Sequence, residues 1–451
     1  MGREEQIINE RKRKIAELQK QGIDPYPAKS DKKQTAEECS KVKIGTSVKT
    51  AGRLVTKRDL GKIAFANLQD SSGKIQIVLQ EGETPKNIKD FFKKYVDSGD
   101  FIGVEGKVFK TKTKQISILV KKVTILSKSI LPLPEKWHGL QDKEDRYRKR
   151  YLDLIMNPDT KKVFEKRSET IKGLRDFLNN QGFLEVDTPV LQAIAGGAIA
   201  KPFITKYNAY DTDVYMRIAP ELYLKRLLVG GFEKVFEFSR CFRNEGVDWS
   251  HNPEFTNLEF YQAYMEYNEL MKLAENMIVE VVKKVNGKAE IMRAGKKITV
   301  KKPFKRITFD KLTKGKMTDE AFKEAIKNIK EPTFITDHPL DISPLAKKKD
   351  DKTVQRFQII IDGIEIANAF SELNDPLDQE ERFIEQSKKK GDKHEHDKDF
   401  VEALKYGMPP AAGFGIGVDR FVMLLADKNS LREILLFPFM KPEGQKEEKK
   451  N

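Results

Sequence analysis

Acidic and aromatic side chains recur at every second position in two stretches that have the composition of β-strands. Glu259 and Tyr261 occupy one stretch, and Asn368, Phe370 and Glu372 occupy the other. Residues two apart in a strand share one face of a sheet. A pocket lined by carboxylates and aromatic rings suits a ligand that carries a primary ammonium on an alkyl chain. Taken singly, each carboxylate is better explained as part of an exposed strand edge.

A further carboxylate, Glu221, follows Ala219-Pro220 at a predicted helix start. An acidic residue there also stabilises the positive end of the helix dipole, so capping is the simpler interpretation of this residue alone. With Glu259 and Glu372 it completes a set of three glutamates, and the set together predicts a pocket for an ammonium ligand.

Two arginines beside glycines are candidates for nucleotide binding. Arg243 ends a predicted strand in Arg243-Asn244-Glu245-Gly246, and the loop leads to His251-Asn252-Pro253-Glu254-Phe255. Guanidinium groups grip phosphates bidentately, and Arg420 follows the glycine run at 413–417. Each arginine alone is more often a surface salt-bridge partner. The chain has no GxxxxGK[ST] loop and no HIGH-type or KMSKS-type motif, and its glycine run fits no dinucleotide fingerprint. ATP would therefore have to bind at a different kind of site.

A possible magnesium site follows from Asp362-Gly363, a strong signal for a two-residue hairpin turn. That turn pairs residue 360 with residue 365, which makes Gln358 and Glu365 diagonal neighbours on one face. Two oxygen ligands there could hold Mg²⁺ on nucleotide phosphates. Bringing Glu365 and Asn368 into one site requires a β-bulge between them.

The composition excludes several classes of protein. Cys39 and Cys241 have neither paired nor metal-type spacing, which excludes a disulfide framework and a zinc ribbon and fits a reducing cytoplasm. His394 and His396 lie in a highly charged stretch that indicates a solvated loop. The apolar runs are far shorter than the ~20 residues that cross a bilayer, and the charged start lacks a signal-peptide core. We therefore expect a cytoplasmic protein without a membrane segment.

The positive charge is concentrated in the first third of the chain. Residues 1–150 hold 34 Lys and Arg against 20 Asp and Glu, although the whole chain has a net charge of +15. A basic module favours a polyanion such as a nucleic acid, but a general lysine-rich bias would give the same count. Five β-rich runs lie between 45 and 126, with a helix-like run after the third. That order predicts an OB-fold, a barrel that commonly binds oligonucleotides.

The remainder predicts an α+β domain. Strands without regularly alternating crossover helices favour an antiparallel sheet with flanking helices. The expected organisation is an N-terminal helix and lead-in at 1–44, the OB-fold at 45–126, a linker at 127–147, a catalytic domain at 148–440 with an insertion at 286–332, and a charged tail at 441–451.

Five segments carry a family resemblance. They are Phe183-Leu184-Glu185-Val186-Asp187-Thr188-Pro189, the stretch from Phe238 to Thr256 around Arg243, Gly415-Ile416-Gly417-Val418-Asp419-Arg420, Arg217-Ile218-Ala219-Pro220-Glu221-Leu222-Tyr223-Leu224-Lys225, and Asn368-Ala369-Phe370-Ser371-Glu372-Leu373-Asn374-Asp375. The first three resemble motifs 1, 2 and 3 of the class II aminoacyl-tRNA synthetases. The last two resemble stretches distinctive of the lysyl-tRNA synthetases. The resemblance covers roughly residues 5 to 442.

The resemblance implies a homodimer that activates L-lysine with ATP and esterifies it to tRNA(Lys), with Arg243 and Arg420 as catalytic residues. The implied lysine-binding residues are Gly197 and Glu221 for the α-amino group, Arg243 and Asn368 for the carboxylate, Glu259, Tyr261 and Glu372 for the ε-ammonium, and Phe370 along the alkyl chain. The implied ATP-binding residues are Arg243, Glu245, His251, Asn252, Phe255, Glu365 and Arg420. Arg53, Phe65 and Gln76 match positions that read the anticodon.

Two departures from the family pattern bear on function. Gln358 stands where the family usually has a second metal-binding glutamate beside Glu365, so the resemblance implies between one and three Mg²⁺ ions without fixing the number. Gln115 stands at an anticodon position where the family usually has glutamate.

Three other functions remain as alternatives. An aspartate or asparagine enzyme would share the barrel and the motifs but needs a cationic or amide-rich pocket. A non-catalytic relative would be expected to lack Arg243, Arg420 or Glu365. Relatives that attach lysine to proteins lack the barrel.

Overall fold

The computed structural model describes residues 2–134, 140, 142–198, 200–390 and 397–442, without the side chains of residues 387, 389 and 390. The chain divides into two compact units, residues 1–139 and residues 140–451. The expected linker and tail therefore fall partly outside the described residues, and His394 and His396 lie entirely outside them. Within the described stretches, no helix has the length and apolar character that crossing a membrane requires.

The first unit contains α1 (Arg3–Lys20), α2 (Ala36–Lys41), β1 (Ser47–Asp59), β2 (Ile63–Gln69), β3 (Lys74–Gln80), α3 (Lys86–Tyr95), β4 (Phe101–Lys110) and β5 (Ile116–Ser127). The strands close into a barrel in the order β1-β2-β3-β5-β4. Ala64, Ala66 and Leu68 alternate along β2 and join the barrel core. Since α3 connects β3 to β4, the predicted OB-fold is confirmed.

The helices of the second unit are α4 (Lys143–Arg148), α5 (Arg150–Met156), α6 (Pro158–Asn180), α7 (Glu221–Val229), α8 (Tyr267–Asn286), α9 (Phe309–Thr313), α10 (Asp319–Ile326), α11 (Pro376–Lys390), α12 (Lys398–Lys405), α13 (Val418–Leu425) and α14 (Leu431–Ile434). Its strands are β6 (Leu184–Glu185), β7 (Leu191–Gln192), β8 (Ile204–Tyr207), β9 (Thr212–Met216), β10 (Lys234–Phe242), β11 (Glu254–Ala263), β12 (Glu290–Arg293), β13 (Lys296–Thr299), β14 (Lys305–Thr308), β15 (Thr333–Pro339), β16 (Thr353–Ile361), β17 (Ile364–Ser371) and β18 (Ala411–Gly417).

Eight of these strands form one sheet in the order β14-β15-β16-β17-β18-β11-β10-β6. The strands from β15 to β10 are antiparallel, as predicted, but the outer pairs β14–β15 and β6–β10 are parallel. The sheet is therefore mixed, because helical connections return the chain in its original direction before the outer strands pair. Residues 286–332 contribute the β12–β13 hairpin and the edge strand β14, so this stretch shares the main sheet and its core.

The two faces of the sheet differ in polarity. Leu258 and Phe260 of β11 pack into the apolar core with α8, and the Phe260 ring stacks on Phe414 at 4.9 Å. The intervening residues Glu259 and Tyr261 therefore point to the opposite face. The alternation that fills the core also places the acidic side chains around a cavity.

Candidate active site

Three neighbouring strands form the floor of a cavity of about 540 Å³. In one row of the sheet, Gly413 of β18 lies between Tyr261 of β11 and Phe370 of β17. The next row repeats this arrangement with Glu259, Gly415 and Asn368. Residues of one row share a face of the sheet. The side chains of β11 and β17 therefore meet above β18, whose own residues in these two rows are glycines.

Gly413 is required because side chains crowd the strand at this point. A Cβ atom here would overlap Glu372 Oε1 and Tyr261 Cε1 and would lie 2.6 Å from Tyr261 Cδ1. Only glycine lets β18 pass directly beneath both groups. This glycine of the 413–417 run therefore allows a carboxylate and a ring to approach the cavity floor.

Glu259 is a buried carboxylate held by two donors. Tyr261 Oη donates to its Oε2 at 3.0 Å, and Asn257 Nδ2 donates to its Oε1 at 2.9 Å. Burial, together with the nearby charge of Glu221, raises the pKa of Glu259 to about 8, although the two hydrogen bonds oppose that shift. An ammonium ligand would favour the ionised form.

Lys225 of α7 belongs to the site, although the sequence analysis gave this residue no role. Its side chain is fully buried, with Nζ 2.8 Å from Glu221 Oε1 and in contact with Glu372 Oε2. Burial alone would lower the pKa of Lys225, but the two carboxylates outweigh burial and raise it above its ordinary value. The sequence signal that could have predicted this ion pair is the i, i+4 spacing of Glu221 and Lys225 on one helix.

The cavity wall beside α7 is formed by Gly197 and Glu221. Gly197 has φ of +85°, and a Cβ atom there would lie 3.3 Å from Glu221 Cβ. Glu221 is the first residue of α7, as predicted, and its side chain is buried. The backbone at Gly197 can therefore approach the Cβ atom of Glu221 closely.

Arg243 lies just beyond β10 at the start of the loop to β11. Its guanidinium lies 5.0 Å from the ring centroid of Phe255, and its Nε is buried without a hydrogen-bond partner among the described residues. A cation on an aromatic face is stabilised by the ring quadrupole. The ring thus holds Arg243 while its Nε stays available for an anionic ligand.

Arg420, in the first turn of α13, joins the loop and the sheet. Its Nη2 lies 3.1 Å from His251 Nε2, and its Nη1 lies 4.0 Å from Glu365 Oε2. His251 Nδ1 in turn lies 2.8 Å from Asp248 Oδ2. The sequence analysis missed Asp248, which orients the histidine that the resemblance assigned to ATP.

Two amides complete the cavity lining. Asn368 Oδ1 accepts from Arg356 Nε at 2.8 Å, and Arg356 was not predicted as a site residue although it lines the cavity. Asn252 Nδ2 donates to Glu254 O at 2.6 Å, whereas its buried Oδ1 has no partner within the described chain.

The structure brings nearly all of the predicted substrate residues together. Those that line the cavity are Gly197, Glu221, Arg243, Glu245, His251, Asn252, Phe255, Glu259, Tyr261, Glu365, Asn368, Phe370 and Arg420. Glu372 and Gln358 are buried behind this lining.

The hairpin that carries the predicted metal position has the expected register. Ile361 pairs with Ile364 across the two-residue turn, and residue 360 pairs with Glu365. A bulge then shifts the register, so that Gln358 lies opposite Asn368. Among the described residues, no three His, Cys, Asp or Glu side chains form a metal cluster. Glu365 with a neutral amide fits only an ion that also has phosphate ligands, as Mg²⁺ commonly does.

The predicted anticodon residues lie on the barrel. Gln76 lies opposite Asn67, two residues from Phe65, and its Oε1 accepts from Ser117 Oγ at 2.8 Å. Arg53 stacks on the ring of Phe101 at 4.2 Å. Gln115 is exposed in the turn between β4 and β5.

Comparison with known families agrees with this arrangement. Residues 142–441 match the family described as tRNA synthetases class II (D, K and N), and residues 48–126 match the OB-fold nucleic acid binding domain. Among similar proteins is the lysine–tRNA ligase of Carboxydothermus hydrogenoformans, which is 46% identical over 97% of this chain and 98% of its own. That of Thermotoga maritima is 44% identical over 97% of each chain.

The lysine–tRNA ligase of Pelotomaculum thermopropionicum is 45% identical over 98% of this chain and 96% of its own. The predicted family resemblance is thus confirmed over nearly the full length. The chain belongs to the class II tRNA synthetases (D, K and N) and, among them, to the lysine–tRNA ligase family.

Proposed function

We propose that this chain activates L-lysine with ATP, forming lysyl-adenylate and pyrophosphate, and then transfers lysine to the 3′ end of tRNA(Lys). One observation carries the proposal. The buried glutamates Glu221 and Glu259 line the cavity, with Glu372 buried behind them. Arg243, whose Nε has no hydrogen-bond partner among the described residues, lines the same cavity. This charge distribution matches an amino acid with two ammonium groups and one carboxylate.

In the proposed complex, the ε-ammonium lies near Glu259, Tyr261 and Glu372, and the alkyl chain lies along Phe370. Gly197 and Glu221 receive the α-ammonium. Removing an ammonium from water is costly unless charged partners replace the solvent. Aspartate or asparagine would place an anionic or neutral side chain against the same carboxylates, which disfavours both.

The nucleotide is proposed to occupy the other end of the cavity. Arg243 and Asn368 bind the lysine carboxylate and the α-phosphate, and Arg420 and His251 bind the outer phosphates. Glu245, Asn252 and Phe255 surround the rest of ATP. Glu365, with Gln358 behind it, would hold Mg²⁺ through the phosphates, and the bound ion would neutralise charge on their oxygens.

The chemical step then depends on positioning and charge. The lysine carboxylate attacks the α-phosphorus, the bond to the bridging oxygen breaks, and pyrophosphate leaves. Arg243 and Arg420 stabilise negative charge on the phosphoryl oxygens in the transition state. A ribose hydroxyl at the tRNA 3′ end then attacks the adenylate carbonyl, and AMP leaves. No side-chain base is assigned to either step.

We assign anticodon recognition to residues 45–126 and the chemistry to residues 148–440. Arg53, Phe65 and Gln76 offer a cation, a ring and an amide on the barrel strands, and Gln115 lies at the neighbouring turn. Rings of this kind stack on unpaired bases. The two free, buried cysteines suit a reducing compartment, which supports a cytoplasmic location.

The proposed assembly is a homodimer. Exposed apolar side chains cluster on and around β6 to β9, next to the segment that resembles motif 1. They are Leu184, Val190, Leu191, Ile204 and Tyr207. Contiguous exposed apolar surface marks interaction sites, and a two-fold interface uses the same surface on both copies.

The experiment that tests the proposed function is amino-acid-dependent ATP–pyrophosphate exchange with each of the twenty amino acids. Lysine alone is expected to support strong exchange, and addition of tRNA(Lys) is expected to yield lysyl-tRNA. Comparable exchange with aspartate or asparagine would contradict the proposal.

A further inference from the structure

A pocket proposed to bind ammonium groups already contains one. Lys225 has no exposed side-chain surface, and its Nζ contacts Glu221 and Glu372. The same Nζ lies 5.4 Å from the ring centroid of Phe370 and 5.9 Å from that of Phe400. Its two ionic partners are carboxylates that the proposed function assigns to the substrate.

Stability alone does not explain this lysine. A buried ion pair gains little net free energy over apolar residues of similar volume, because both charges must leave water. Met would pack against Phe370 and Phe400 as well as the lysine alkyl chain does. A role in ligand binding accounts better for a charge at this position.

At the glutamate end of the cavity, the charges of the three glutamates and Lys225 together match the two ammonium groups of the substrate. The three glutamates carry three negative charges when ionised, and Lys225 carries one positive charge. Two negative charges remain, which equals the number of ammonium groups in L-lysine, whose carboxylate is assigned to Arg243. Buried charges are tolerated when they are balanced, so the count favours a diammonium ligand.

Lys225 also affects the orientation of Glu372. It contacts Oε2 and leaves Oε1 against Gly413, a residue of the cavity floor. Neither carboxylate oxygen of Glu372 has a hydrogen-bond partner in the described part of the chain, although Oε2 has the ionic contact with Lys225. A buried carboxylate oxygen without a donor is costly, and an incoming ammonium would supply that donor.

We infer that Lys225 is a positioning residue that sets the specificity for lysine, because it neutralises one of the three glutamate charges and turns Glu372 Oε1 toward the substrate ammonium. This inference rests on the proposed function, since it assumes that the cavity binds lysine. It assigns Lys225 no contact with the reacting atoms.

The test is lysine-dependent ATP–pyrophosphate exchange at saturating ATP for Lys225→Met and Lys225→Arg. Lys225→Met is expected to raise the KM for lysine by about tenfold or more, with little change in the KM for ATP. Lys225→Arg keeps the charge and is expected to restore most of the affinity. If Lys225→Met does not fold, Lys225→Gln carries the same prediction.

A matched control lies one residue along α7. Arg226 forms ion pairs with Asp397 and Asp399, so Arg226→Met loosens the same helix without removing a glutamate partner. Its KM for lysine is expected to change by less than about fivefold.

The inference is overturned if Lys225→Met keeps the wild-type KM for lysine, or if Lys225→Arg is no better than Lys225→Met. The wild-type protein separates this failure from that of the proposed function. Absence of lysine-dependent exchange in the wild type refutes the proposed function. Normal wild-type exchange with an insensitive Lys225→Met refutes only the role of Lys225.

Discussion

Tyr261 donates a hydrogen bond to Glu259 Oε2 at 3.0 Å, and both side chains are buried in the floor of the cavity. The bond fixes the carboxylate, and burial raises its pKa to about 8. In the free pocket, Glu259 is therefore largely protonated at neutral pH. A bound ammonium favours the carboxylate, so lysine binding is coupled to the loss of this proton.

The first prediction concerns pH. The affinity for L-lysine should rise as the pH increases toward about 8, because less free energy is then needed to ionise Glu259. Above that value the carboxylate is already charged, and the rise should level off. Calorimetric titration of L-lysine in buffers of different ionisation enthalpy measures both the affinity and the released proton. Glu259→Gln should reduce this proton release without abolishing it, because burial also raises the pKa of Glu372. A wild-type affinity independent of pH would refute the coupling.

The second prediction concerns Gly413. Gly413→Ala should lower the free energy of unfolding by about 1–3 kcal/mol, because the added methyl group forces Tyr261 and Glu372 to move. Gly415→Ala is the matched control in the same strand, since its nearest neighbour would be an ordinary 3.6 Å contact with Glu259 Cγ. Chemical denaturation of both variants measures the difference. Equal stability would show that β18 relaxes freely at 413.

The third prediction concerns Gln358, the departure from the family pattern beside Glu365. A neutral amide attracts a cation less than a carboxylate does. Exchange activity in the wild type should therefore saturate at a higher free Mg²⁺ concentration than in Gln358→Glu, with unchanged lysine specificity. Gln355→Glu in the same strand is the control. Superimposable Mg²⁺ titrations for the wild type and Gln358→Glu would remove residue 358 from the metal site.

The fourth prediction concerns the barrel. Phe65→Ala should weaken tRNA(Lys) binding by roughly 1–3 kcal/mol if the ring stacks on an unpaired base. Lysine-dependent pyrophosphate exchange should not change, since it needs no tRNA. Tyr26→Ala removes an exposed ring of the same unit and serves as the control for nonspecific effects. Equal tRNA affinity of wild type and Phe65→Ala would exclude stacking at this position.

Local sequence signals predicted the hairpin that carries Glu365 in some detail. Asp362-Gly363 determined the turn, and the spacing of Glu365 and Asn368 required the bulge that the register shows. Such features follow from short-range geometry. The parallel outer pairs of the sheet were missed because β6 and β14 have only two and four residues, too few for a clear periodic pattern.

The missed site residues have a different cause. A lysine four residues after a glutamate is ordinary on an exposed helix, and only the packing of α7 against the sheet shows that Lys225 is buried. Arg356 likewise lies in an alternating strand, and its bond to Asn368 depends on the register between β16 and β17. Long-range pairing of this kind is not encoded in a local pattern.

The most direct test of the account compares L-lysine with L-norleucine, which has a methyl group in place of the aminomethyl end of the side chain. The measurement is the ratio of kcat/KM for the two amino acids in pyrophosphate exchange, for the wild type and for Glu372→Gln. Loss of a buried charge partner costs about 3–5 kcal/mol, so the preference for lysine should fall by roughly two to four orders of magnitude. A preference that stays unchanged in Glu372→Gln would contradict recognition of the ε-ammonium by the buried glutamates.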